Sequence, residues 1–316
     1  MKTQAICSDE NQKLIPPLRL ILNYQCNGQC SFCHHEGQNT KDVMKPSMVY
    51  KCASIANTLS IPSLSLTGGE PTLRSDLSSI IKGIQDIYEG RISLTTNGAY
   101  LSELSQQIIT PLHTVNLSIS SFNNDIYTKY QNVDPFPALN ALNHFPALNK
   151  NLNVVIVKDN YQEINNIISY CINHSLSLVL MFELRTYSEF DILMQQYVLT
   201  EVGKHGQVAF QFGTTPSLVV NINDSCKIII KHPKLSRLMQ RTLCKECAES
   251  INCYERVCAV RVYPDGTVSP CLNKVISFSN KSLSDKIKNI YALLNGNKLL
   301  EIYYDNPLSI IIISDQ

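Results

Sequence analysis

The sequence predicts an α/β chain: six strand–helix units curved into a partial (β/α)6 barrel, followed by a small cysteine-rich C-terminal domain. Three observations carry this reading. Short β-branched runs alternate with apolar stripes of helical spacing over the first two thirds of the chain, the pattern by which strand–helix repeats build a parallel sheet. That rhythm changes after about residue 212, and beyond it five cysteines fall between positions 244 and 271. A length of 316 residues also exceeds the size at which one core usually stops growing, so we expect a barrel over 1–212 and a cysteine-rich domain over 213–316.

Taken in order, strands are expected at about 17–23, 62–67, 91–96, 112–119, 152–157 and 177–183. The first runs directly into NYQCNGQCSFCHHEG, which holds Cys26, Cys30 and Cys33. Met48, Cys52, Ile55, Ala56 and Leu59 form the apolar stripe of the first helix. The second strand ends in Thr67, Gly68, Gly69, Glu70 and Pro71, and glycines at a strand end let backbone approach a ligand closely. Ser75 is the expected N-cap of a helix carrying Leu77, Ile80, Ile81, Ile84 and Ile87. Thr95, Thr96, Asn97 and Gly98 end the third strand, and Ser118 lies near the end of the fourth. Ile164, Ile167, Ile168, Cys171 and Ile172 mark a helix before the sixth strand. After the Thr214, Thr215, Pro216 turn come short apolar runs near 217–221 and 226–230. AVRVYPDGTVSPC reads as a hairpin turning at Asp265 and Gly266, and a last helix carries Leu283, Ile287, Ile290, Tyr291 and Leu294 on one face.

Composition narrows the function classes. Apolar residues make up 44% and charged residues 17%, a globular balance, and the net charge of +1 advertises neither nucleic acid nor a membrane surface as partner. MKTQAICSDENQKL has no apolar segment of signal-peptide length, and no stretch reaches the eighteen or so apolar residues of a membrane span. Twelve cysteines without a secretion signal argue for metal thiolates in a reducing compartment, so a cytoplasmic location is expected. Cys52 and Cys171 sit in helical stripes and read as core; Cys7 and Cys226 read as structural or incidental.

The chemistry is concentrated in the cysteine triplet. Thiolates separated by three and two residues suit a loop around one iron–sulfur cluster and suit disulfide pairing poorly. A cubane has four irons, so three protein ligands leave one iron open to substrate or cofactor. Zinc is the competing reading, with His34 or His35 as a fourth ligand. Cys244, Cys247, Cys253, Cys258 and Cys271 read as a second iron–sulfur site, again with tetrahedral zinc in competition.

Cys26-x3-Cys30-x2-Cys33, with Phe32 before the last cysteine, is similar to the signature of the radical S-adenosylmethionine (SAM) superfamily. The resemblance implies that a 4Fe-4S cluster on these cysteines chelates SAM and cleaves it reductively to a 5'-deoxyadenosyl radical, which abstracts hydrogen from substrate. It also implies that Phe32, Gly69, Glu70, Thr96 and Ser118 line the SAM pocket, and that an electron donor such as flavodoxin or ferredoxin serves the cluster. LRLILNYQCNGQC, LTGGEPTLRSDL, LTTNGAYL, VNLSIS and VRVYPDGTVSPCL resemble, in order, the GTP cyclase of molybdopterin biosynthesis and its relatives with twitch or SPASM-type extensions. On that likeness Arg19 and Arg261 contact substrate, and the five C-terminal cysteines supply an auxiliary cluster. The departures point away from GTP: Ser65 stands where an arginine is expected and Asn151 where a lysine is expected, and only Arg261 remains of an arginine pair. The resemblance therefore implies a radical SAM enzyme, lyase or oxidoreductase, acting on a small molecule, nucleotides included, by rearrangement, cyclisation or oxidation. A SPASM-type peptide-modifying maturase and a non-catalytic iron–sulfur or zinc protein are the alternatives.

Overall fold

The computed structural model describes residues 15–33, 42–131, 135–183, 189–211, 213–232, 235, 242–245, 247–248, 253, 257–272 and 281–294. Cys7, His34 and His35 lie outside them. Strands β1 (Leu18–Ile21), β2 (Ser63–Thr67), β3 (Arg91–Thr96), β4 (Leu112–Ser118), β5 (Ala147–Ile156) and β6 (Ser177–Phe182) pair in parallel and in chain order. All six expected strands are present. The fifth starts at Ala147, well before the expected 152, because its first residues already pair with β4 before β6 joins at Asn151.

Right-handed crossovers place the connecting helices on one face of a parallel sheet. These are α1 (Pro46–Thr58), α2 (Leu77–Gln85), α3 (Leu101–Ser105), α4 (Asn124–Gln131), α5 (Pro135–His144) and α6 (Ile164–Asn173). Against them the strands turn Leu64, Leu66, Leu94, Leu117, Leu152 and Val154, each fully buried. Helix α2 meets this layer with Leu77, Ile80, Ile81 and Ile84, none more than 1% exposed; burying each such side chain contributes about 1.5–3 kcal/mol. Cys52 and Cys171 lie in the same core at 0% and 1% exposure. Ser75 is not the cap of α2: Asp76 occupies that position and makes no side-chain cap bond. Its carboxylate is instead held by the buried Arg74 guanidinium, at 2.9 and 2.8 Å. Arg74 also donates to the carbonyls of Leu22 and Met44, both at 2.8 Å, and so clamps the end of β1 to the start of α1.

The sheet continues across position 212. Helix α7 (Glu189–Gly203) leads to β7 (Val208–Gln211) and β8 (Ser217–Asn221), an antiparallel hairpin through the expected Thr214–Pro216 turn. Strand β9 (Lys227–Lys231) pairs antiparallel with β8 and parallel with β6. At the other edge β10 (Val260–Val262) pairs parallel with β1, and β11 (Val268–Ser269) closes the hairpin expected at Asp265 and Gly266. Among the described residues eleven strands thus form one open sheet in the order β11-β10-β1-β2-β3-β4-β5-β6-β9-β8-β7. Helix α8 (Leu283–Leu294) buries Ile287, Ile290, Tyr291 and Leu294, and the Tyr291 hydroxyl donates to the Pro16 carbonyl at 2.9 Å.

Alternation along the strands makes the opposite, inner face polar. In register across it lie Arg261, Arg19, Ser65 and Ser93, and one level higher Thr67, Thr95, Asn116 and Asn151. Ser118 is level with Asn153.

Candidate functional site

The cysteine loop leaves the C-terminal end of β1, where loops of several parallel strands converge. Its foundation is main-chain pairing between residues 22–25 and the end of β2. Leu22 N donates to Thr67 O at 2.7 Å, Gly69 N to Asn23 O at 2.8 Å, and Glu70 N to Gln25 O at 2.8 Å. Such an approach needs glycine: a Cβ on Gly69 would stand 2.2 Å from the Gln25 carbonyl oxygen.

Glu70 is 1% exposed and joins three strand ends. Its Oε1 accepts from Thr72 N (2.9 Å), Thr72 Oγ1 (2.6 Å) and Thr96 Oγ1 (2.6 Å), and its Oε2 from Asn97 N (2.7 Å). Asn23 Nδ2 donates to its carbonyl at 2.9 Å. Burial pushes the carboxyl above its ordinary range, and the donors from Asn97, Thr72 and Thr96 pull the other way. The Thr96 hydroxyl is spent within the protein, since it also accepts from Gly98 N at 2.9 Å. Glu70 and Thr96 are therefore struts of the site in this structure. Gly98, at φ +85, takes the left-handed turn that starts the next loop.

Asn97 carries the strand-end network into the cysteine loop through Nδ2, which donates to Asn27 Oδ1 at 2.8 Å. Two of the thiols flank Gly28, whose Cβ position lies 3.6 Å from Cys26 Sγ and 3.8 Å from Cys30 Sγ. Gly28 N donates to Cys26 Sγ at 3.3 Å, and Cys33 N to Cys30 O at 3.1 Å. Burial, with Cys33 and Cys26 as neighbours, pushes the Cys30 thiol up to about 12; burial is also the largest cause raising Cys26. Metal loading therefore has to displace protons here. Among the described residues no three Cys, His, Asp or Glu side chains close on a single-ion geometry.

A latch unmarked by the sequence patterns holds the loop from above. Gln29 N donates to Tyr130 O at 3.0 Å, Cys30 Sγ to the same carbonyl at 3.2 Å, and Phe32 lies 5.4 Å from the Tyr130 ring. The Tyr130 hydroxyl donates to Asp159 at 2.7 Å, and Lys129 pairs with the same carboxylate. These two donors hold the Asp159 carboxyl below its ordinary value.

The residues fit an iron–sulfur cluster with a chelating cofactor. The Cys26 and Cys30 thiols lie together on one loop, and an N–H points at the Cys26 sulfur, the kind of hydrogen bond that tunes a cluster's potential. Beside Gly68, the buried Asn23 Oδ1 has no hydrogen-bond partner, which leaves an acceptor at the strand ends where SAM is expected.

Cys258 and Cys271 flank β10 and β11 at the other end of the sheet. Val260 N donates to Pro17 O at 3.0 Å, so Cys258 lies level with the chain entering β1. Strand β10 begins and antiparallel β11 ends at this same end, with Arg261 opposite Ser269, so Cys258 and Cys271 both flank the mouth of the hairpin. At about 3.3 Å per residue, β1 and its flanks separate this pair from the triplet by roughly 15–20 Å. Arg261 is fully buried, with its guanidinium 3.9 Å from Cys258 Sγ, and is paired in register with Arg19. Cys244 is buried on a short helix, Thr242–Lys245, that packs on α8; Cys247, beyond its end, and Cys253 are half-buried.

A profile described as the Radical SAM superfamily matches residues 20–171. A probable GTP 3',8-cyclase of Sulfurisphaera tokodaii is 32% identical over 182 residues, covering 56% of this chain and 58% of the relative. Another, of Thermoplasma volcanium, is 35% identical over 148 residues, 45% of each chain. The chain thus spans about half the length of these curated relatives. Among solved structures, Streptococcus suis SuiB bound to precursor peptide SuiA aligns with a TM-score of 0.64 at 15% identity, covering 90% of this chain and 67% of that one. The anSMEcpe protein with bound AdoMet and Cp18Cys peptide aligns at 0.52 and 16% identity, covering 87% and 80%. These two likenesses are of fold. No helix among the described residues is long and apolar enough to cross a membrane. Family profile, fold and strand-end geometry agree: over residues 20–171 this chain carries a radical SAM superfamily domain.

Proposed function

We propose that the protein is a radical SAM enzyme that acts on a small molecule held against the polar inner face of its sheet. Cys26, Cys30 and Cys33 hold the 4Fe-4S cluster, and Phe32, Gly69 and Ser118, with the strand ends braced by Glu70 and Thr96, shape the SAM pocket. When bound, the cluster and SAM together supply one-electron cleavage of SAM to methionine and a 5'-deoxyadenosyl radical. The chain's own residues orient and shield that chemistry. The observation that carries the reading is the direct bonding of the loop before Cys26 to Gly69 and Glu70, which seats the triplet on the strand ends.

Cys244, Cys247, Cys253, Cys258 and Cys271 are the donors for an auxiliary iron–sulfur cluster at the far end of the inner face. Arg19 and Arg261 meet the substrate between the two groups, and a flavodoxin- or ferredoxin-type protein donates the electron. Support for the auxiliary site is the β10–β11 hairpin, whose Arg261–Ser269 pair ends the ladder two to three residues from Cys258 and Cys271. The names of the curated relatives support a lyase acting on a nucleotide; the peptide-modifying alternative rests on likeness of fold. The test is anaerobic reconstitution, reduction with dithionite, addition of SAM and chromatography. 5'-Deoxyadenosine is expected, and its absence from protein with a full N-terminal cluster refutes the reading.

A further inference from the structure

On β2 to β5, above Arg91 at the N-terminal rim, the inner face carries serine, threonine and asparagine and no lysine, aspartate or glutamate. Three carboxamides form its centre. Asn151 Nδ2 donates to Asn116 Oδ1 at 2.9 Å, and Asn116 Nδ2 reaches the Leu94 carbonyl at 3.4 Å. One alternation higher on β5, Asn153 Oδ1 is buried and makes no hydrogen bond. Turning the carboxamide over would place its N–H2 in that position, so one hydrogen-bonding atom stays unmet in either orientation. An unmet buried polar atom of this kind is destabilising, and a ligand that bonds it recovers that cost. Its neighbours on the same strand face are Asn151 below and half-buried Val155 above, and Ser118 is level with it on β4.

We infer that the Asn116–Asn151–Asn153 wall recognises a nucleobase-type edge, a ring N–H beside a C=O, on a substrate with few phosphates. This rests on the proposed function and names its substrate class. Carboxamides present the same donor–acceptor pair as such an edge and bind it without charge. The buried or part-buried cations of this face are Arg19 and Arg261, at its β1–β10 end, while Lys227 and Lys231 of β9 are exposed to solvent two strands beyond the wall. A triphosphate brings more negative charge than two guanidiniums neutralise, and the surplus would face uncharged side chains in a part-buried space.

The test is calorimetric titration of the anaerobic, cluster-loaded full chain with SAM present, using GMP, UMP and GTP as probes. GMP and UMP are expected to bind at least as tightly as GTP. Asn153→Leu and Asn151→Leu are expected to weaken both monophosphates about tenfold or more. Asn151→Lys places a cation on the wall and should shift preference toward GTP about tenfold, a gain that misfolding cannot mimic. Tenfold tighter GTP binding by the unaltered chain, Asn153→Leu binding that is unchanged, or failure of all three probes to bind each overturns the inference. Deoxyadenosine formation in the same sample separates the outcomes: if it persists without probe binding, the substrate class is wrong and the radical chemistry stands.

Discussion

Replacing Gly69 with alanine tests the seating of the cysteine loop directly. The added Cβ would lie 2.2 Å from the Gln25 oxygen, 2.5 Å from its carbonyl carbon and 2.6 Å from the Tyr24 oxygen, all main-chain atoms that cannot swing aside. Ordinary contact begins near 3.4 Å, so the two segments must part by more than 1 Å. That displacement takes the Gly69-to-Asn23 and Glu70-to-Gln25 bonds, both 2.8 Å, beyond hydrogen-bonding range. Two buried donors losing partners cost about 2–5 kcal/mol together. Urea denaturation should show a lower midpoint at unchanged slope, and anaerobic reconstitution should load less iron on the N-terminal site. Gly203→Ala is the control: no heavy atom lies within 4 Å of its added Cβ, and it should change stability by no more than about 0.5 kcal/mol. A Gly69→Ala protein within that same margin, carrying full N-terminal iron, would refute the argument.

The Asp159 latch is pH-dependent with a definite sign. Its carboxyl is held below the ordinary value of 3.8 chiefly by Lys129 and then Tyr130, so its contribution is complete above that value and is lost as pH falls through the lowered one. The protection factor of the Gln29 amide, its exchange corrected for the intrinsic rate at each pH, should fall at acid pH in the native chain and be low throughout in Asp159→Asn; equal protection in the two proteins would dismiss the latch. Arg74→Met removes the guanidinium donors to the Met44 carbonyl and the Asp76 carboxylate and one of the two donors to the Leu22 carbonyl, and should cost about 1–3 kcal/mol by chemical denaturation. Iron and sulfide counts should fall by one cluster in Cys26→Ala and by a different one in Cys271→Ala. Zinc at the C-terminal group would refute the auxiliary-cluster proposal.

The parallel core was legible because its signals are local. Leu77, Ile80, Ile81 and Ile84 announce a helix by spacing, and Cys52 and Cys171 announce burial by lying in such stripes. Edge pairing was not legible, since Leu18 meets Val260 with nothing in either segment naming the other. The same holds for the site. Cysteine spacing and the strand-end glycines mark the loop, whereas Tyr130 and Asp159 are an ordinary helix residue and loop residue until the fold brings them together. Glu70 and Thr96 were found by motif, but their bracing role appears only once the four donors around the carboxylate are placed. Asp76 shows the limit of local rules: it stands at a helix start, yet the Arg74 fork outbids the cap bond.

Because β10 covers the outer side of β1, translation leaves β1 bare for a time. At 5–20 residues per second, the 77 positions between Phe182 and Val260 take the ribosome roughly 4–15 s. Throughout that interval the nascent barrel shows an unpaired strand margin, a template for joining with other chains. Arrival of the C-terminal hairpin ends the hazard and brings Arg261 and Cys258 to the inner face in the same step. Maturation of the two ends is thereby ordered in time, with the N-terminal thiols the first to emerge.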